Sequence, residues 1–95
     1  MTFGDSGVNA TLAADAKQAA YFRAFLADER EQVGHNLLRS RLQLRACVEG
    51  EKVVGLRTMA RLRSDVRELE AEQRDLERLI AKLDRRFSSL WALEG

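Results

Sequence analysis

The chain has 95 residues, 33% of them charged, a net charge of +1 and no proline. That excludes a multidomain protein, a polycation and a proline-punctuated β-fold, and it favours long uninterrupted helices. One cysteine, Cys47, excludes an internal disulfide framework, and a reducing cytoplasm is the expected compartment.

Residues 1–9 hold two glycines with Asp5, Ser6 and Asn9, and are expected to form a flexible N-terminal arm. The first basic residue is Lys17 and no apolar core precedes it, so a secretory signal is not expected. The longest apolar run, Ala19–Phe22, is four residues, against the ~20 that a membrane-spanning helix needs.

The spacing predicts a first helix over about 10–48, capped by Asn9 or Thr11. Its apolar positions include Leu12, Ala16, Ala19, Phe22, Leu26, Val33, Leu37, Leu44 and Val48. Arg30 and Ser40 or Arg41 interrupt that pattern, and Gly34-His35 is a weak point. A turn is expected at 49–51, where Gly50 can take the left-handed conformation that ends a helix. Two rivals are a β-hairpin across Cys47–Leu56 and one continuous bent helix.

The second helix is predicted over about 52–92 and carries the clearest pattern in the chain. Leu62, Leu69, Leu76, Leu83 and Leu90 lie seven residues apart, interleaved with Met59, Val66, Gln73, Ile80 and Phe87. Nine of these ten positions are apolar, about twice what a 45% hydrophobic content gives by chance. This is a heptad repeat, lettered a to g, with leucine at d. Such a narrow stripe must meet another helix. Two helices of similar length suit an antiparallel hairpin. Folding at Gly50 places Ala16 and Ala19 near Leu83 and Phe87, and Leu26 near Gln73.

Tyr21, Phe22, Phe25 and Leu26 on the first helix, with Leu79, Trp91 and Leu93 on the second, widen the apolar surface beyond one stripe at the open end. The expected fold is therefore all-α: an antiparallel coiled-coil hairpin, two of which form a dimeric four-helix bundle, or one of which docks on another protein. A parallel homodimeric zipper fits poorly, because Asp65 would meet Glu70 and Glu72 would meet Glu77. The candidate protein-interaction residues are Phe22, Phe25, Leu69, Leu76, Ile80, Leu83, Phe87, Leu90 and Trp91. The bland reading of the same stripe is packing within one chain.

Charge is uneven: residues 1–35 sum to −2, 36–67 to +5 and 68–95 to −2. Arg39, Arg41, Arg45, Arg57, Arg61 and Arg63 are candidate polyanion contacts. No aromatic lies within 36–67 to stack on bases, so a solvated face is the stronger reading.

His35 stands without a Cys/His cluster, so neither a metal nor a cofactor is expected. Cys47, beside basic residues, is more simply a small buried apolar group than a reactive thiol. The stretch Leu62-Arg63-Ser64-Asp65-Val66-Arg67-Glu68-Leu69 superficially resembles the first helix of small all-helical chorismate mutases. That resemblance implies a helical dimer whose arginines bind a dicarboxylate. Here the stretch lies in the second half, with too little chain after it for that fold. The length and central turn also resemble small secreted helical-hairpin proteins of Gram-positive bacteria, which carry Trp-x-Gly where this chain has Val48-Glu49-Gly50. The function expected from the residues is non-enzymatic protein–protein association. The alternative is a small nucleic-acid-associated regulator using segment 39–67.

Overall fold

The computed structural model describes the backbone of residues 3–50 and 54–94, and side-chain exposure for 11–50 and 54–93. Two helices account for it: α1 (Phe3–Val48) and α2 (Leu56–Glu94). They pack against each other as a hairpin of 74 × 22 × 15 Å with a radius of gyration of 20.8 Å. A compact domain of this length would have about 12 Å. The shape follows from having a single layer of contact between two long rods.

α1 begins at Phe3, inside the segment expected to be a flexible arm, so helical backbone extends upstream of the expected Asn9 or Thr11 cap. No proline blocks propagation there, and adding turns to an existing helix avoids a second nucleation cost. α1 ends as expected. Gly50 has φ +82°, its N–H donates to the Cys47 carbonyl at 3.3 Å, and Glu49 N–H donates to the Arg45 carbonyl at 2.8 Å. Only glycine holds that left-handed position without strain. The third residue of the expected turn, Glu51, lies outside the described residues.

α2 begins at Leu56, later than the expected residue 52. Gly55 is non-helical, yet its carbonyl accepts the first helical bond, from Met59 N–H at 3.1 Å, which makes it the N-cap. The continuous-helix rival fails because the chain reverses between α1 and α2. The β-hairpin rival fails because Cys47 and Val48 are helical and no strand occurs among the described residues.

Both helices present a stripe spaced three and four residues apart. On α2 all ten positions from Met59 to Leu90 are buried or half-buried. On α1 the stripe is Ala16, Ala19, Arg23, Leu26, Arg30, Val33, Leu37, Ser40, Leu44 and Cys47, and all ten are likewise buried or half-buried. The interrupted pattern seen in the sequence is thus a regular stripe with three polar members. The most enclosed large side chain among the described residues is Leu37 at 2% exposure, with Leu26, Val33, Ile80 and Phe87 close behind.

The register is fixed by three contacts. Trp91 Nε1 donates to the Ala16 carbonyl, Arg23 pairs with Asp84, and Gln73 Nε2 faces Gly34. Moving seven and then eleven residues along α1 matches moving seven and eleven back along α2. Ala16 and Ala19 do cluster with Phe87, flanked by Leu83. Gln73, however, faces Gly34 rather than Leu26. The connection extends past Gly50 to Gly55, which shifts the pivot and hence the pairing.

Candidate functional site

The candidate site is the open end of the hairpin, where α1 before Ala27 meets α2 after Leu76. Small residues on α1 let large ones on α2 approach. Ala16, Ala19 and Phe87 form a buried cluster, with Leu83, Leu90 and Trp91 packed on it. The Phe87 and Trp91 rings stack at 5.9 Å between centroids, and the Arg86 guanidinium lies 5.1 Å from the Phe87 ring. The indole of Trp91 satisfies its one donor on the Ala16 carbonyl at 2.7 Å. This arrangement closes the end of the hairpin.

Next to it, Arg23 at an a position of α1 reaches Asp84 on α2 through two bonds, Nε–Oδ1 at 2.5 Å and Nη2–Oδ2 at 3.2 Å. This fork holds the Asp84 carboxyl below its usual range. The Arg23 hydrogen bonds are the main cause, partial desolvation opposes them, and the charges of Arg23 and Arg30 assist. The same pairing raises the Arg23 guanidinium further. The sequence reading passed over this pair because it set Phe22, not Arg23, between Ala19 and Leu26 in the stripe of the first helix. Counting Arg23 and Arg30 as stripe members one heptad apart would have exposed it.

The sequence-derived interaction residues divide into two sets. Leu69, Leu76, Ile80, Leu83, Phe87, Leu90 and Trp91 are buried or half-buried on the side of α2 that packs on α1. Their partner is the chain's own first helix. Phe22 and Phe25 remain 49% and 58% exposed. Tyr21 at 70%, Leu12 at 43% and Leu79 at 42% are exposed as well. On one flank of the hairpin a shallow groove is bordered by g positions of both helices, Asp15 and Phe22 from α1 and Arg86 from α2, with the d-position Leu83 beside them. The opposite flank is edged by e positions, where Arg41 Nη2 pairs with Glu70 Oε2 at 2.9 Å.

Leu38 and Leu42, 58% and 54% exposed, add a smaller apolar strip near the tip that the sequence reading missed. Their b and f positions are outward-facing once the α1 register is known.

The six arginines proposed for polyanions all lie at the tip half and are exposed. They do not share a face. Arg39 and Arg41, like Arg61 and Arg63, are two residues apart and so point about 200° apart around a helix. Arg41 is paired with Glu70 and Arg45 with Glu49, at 3.5 Å. Among the described residues, Arg39, Arg57, Arg61 and Arg63 form no ion pair.

His35 is exposed and Cys47 is buried. Among the described residues, no cluster of His, Cys, Asp or Glu is placed to hold a metal ion, and no helix is long and apolar enough to cross a membrane. No protein-family model, curated protein or solved structure matches the chain.

Proposed function

We propose that the protein is a non-enzymatic coiled-coil hairpin of the reducing cytoplasm that acts by protein–protein association through its open end. One observation carries this reading. The stripe between the helices is filled by the chain itself, yet Tyr21, Phe22, Phe25 and Leu79, all toward the open end, stay exposed among the described residues. Large side chains clustered at nearly half exposure or more are where an interface gains most from excluding water. The closed end beneath them, held by Ala16, Phe87 and Trp91, supplies a rigid backing.

The test has two arms: sedimentation of the chain alone, and recovery of partners from the native source read by mass spectrometry. Each is run beside the double variant Phe22→Glu, Phe25→Glu. Loss of self-association or of a specific, reproducible partner in the variant supports the reading. A wild-type chain that is monomeric and recovers the same proteins as the variant would sink it.

The second reading is a nucleic-acid-associated regulator, favoured by Arg39, Arg57, Arg61 and Arg63, which are exposed and form no ion pair among the described residues. Six phosphate contacts would give a log–log salt slope of about −5. Because the arginines encircle the tip and two are paired internally, binding to DNA or RNA is expected to be undetectable at about 150 mM salt. Submicromolar binding at that salt, abolished by Arg57, Arg61 and Arg63→Glu, would put the regulator first.

A further inference from the structure

The groove on the g-position flank has unlike walls. In the register that sets Ala16 beside Trp91, Arg23 beside Asp84 and Gly34 beside Gln73, Phe22 stands level with Arg86 and Phe25 with Lys82. The α1 wall is aromatic where the α2 wall is basic, and the seam residues Ala19, Leu83 and Phe87 lie beneath. Leu79, one turn from Lys82 toward the tip, continues the apolar contact. Lys82 and Arg86 are exposed and form no ion pair among the described residues. Arg85, at the f position behind them, has the same sign.

The groove is also short. On α1 it is bracketed by Asp15 and Glu29, two heptads or about 21 Å apart. Past Glu29 the same flank of α2 turns acidic, through Asp75, Glu72, Glu68 and Asp65, before Arg61. Arg39 is the one charge that α1 sets opposite them.

From these walls and ends we infer that the groove takes an acidic amphipathic helix of another protein, about four turns long. Its apolar stripe rests on Phe22, Phe25 and Leu79, and its carboxylates run along one side of that stripe, toward Lys82 and Arg86. This names a partner for the association reading and rests on it.

Sign and length together select the occupant. A phosphate backbone or an anionic bilayer laid on the bases runs on past the groove, into Asp15 at one end and the acids of α2 at the other. A helix of four turns stops before them. No strand edge borders the groove, so an extended peptide would leave backbone groups unpaired, whereas a helix satisfies its own. A second copy brings the wrong charge. Its apolar strip near the tip, Leu38 and Leu42, is flanked by Arg39, Arg41 and Arg45.

Two capped, fluorescein-labelled helical peptides of about 18 residues test this against the full chain by anisotropy. Both carry a leucine stripe at heptad spacing. They differ only along one side of it, Glu in one and Lys in the other. Vesicles of phosphatidylcholine and phosphatidylserine in about a 3:1 ratio, and a short oligouridylate, run beside them.

The Glu peptide should bind at least about tenfold more tightly than the Lys peptide, and more tightly than vesicles or oligouridylate. Phe22→Glu, Phe25→Glu should abolish binding of both peptides while circular dichroism keeps the helix content. Lys82→Glu, Arg86→Glu should reverse the order, so that the Lys peptide binds better. No binding of the Glu peptide at hundreds of micromolar, equal affinity for both peptides, or an order unchanged by the Lys82 and Arg86 reversal would overturn the proposal. Tighter binding of vesicles or oligouridylate would do the same. So would a chain that dimerises through Phe22 and Phe25, because its own copy then fills the groove. That last result leaves the association reading standing, and the partner-recovery arm judges that reading separately.

Discussion

The Asp84 carboxylate illustrates how far one side chain can be read. Arg23 lowers its pKa by donating two hydrogen bonds, so the unfolded chain binds this proton more tightly than the folded one. The contribution is therefore present above the ordinary carboxylate pKa and is lost as pH falls through the depressed folded value. Both partners are more than a third exposed, so the effect is modest. Thermal melts of wild type and Asp84→Asn should differ at neutral pH and converge once the pH has fallen through the depressed range of the Asp84 carboxyl. Curves that stay parallel into acid would show that the pair contributes nothing through ionisation.

Two glycines make a second residue-scale comparison, because the same substitution should have opposite signs. A Cβ on Gly34 would sit 3.6 Å from Gln73 Nε2, an ordinary contact, in the interior of a helix. Gly34→Ala should stabilise by about 0.5–1 kcal/mol. Gly50 has open space around it but φ +82°, so Gly50→Ala should cost about 1 kcal/mol. Urea unfolding followed at the single tryptophan, Trp91, measures both.

At the scale of elements, α2 was legible and α1 only in part. Leucine every seven residues leaves little choice of inward face, and all ten predicted positions are turned from solvent. α1 hid part of its stripe because Arg23, Arg30 and Ser40 are polar, and Phe22 stood in the reading where Arg23 lies in the structure. The two alanines were legible, and they do cluster with Phe87. The start of α2 was misplaced because Gly55 looks like a residue inside a helix but acts as its cap. That shift of the pivot moved the cross-helix pairing and hid the Gly34–Gln73 contact. The open-end surface was visible as clustered aromatics, whereas its division into covered and uncovered residues required the register. Leu37, the most enclosed large side chain among the described residues, is the element-scale test. Leu37→Ala should cost about 2–3 kcal/mol, near the low end for leucine truncation because only two helices wall the space. A loss below about 1 kcal/mol would show that the middle of the hairpin is looser than its burial implies.

For the whole molecule, length without thickness has a mechanical meaning. The first turns of α1 and the last turns of α2 lie at one end, closed by the bond from Trp91 to the Ala16 carbonyl. A tension applied between Leu12 and Leu93 would peel the rods apart layer by layer, so each step resists with one set of side chains. Tension between Leu12 and Arg57, at opposite ends of the 74 Å rod, would slide the helices past each other and load every layer together. In an optical trap the sliding geometry should rupture at clearly higher force. The same hairpin is thus a weak latch when pulled at its mouth and a stiff strut when pulled along its length.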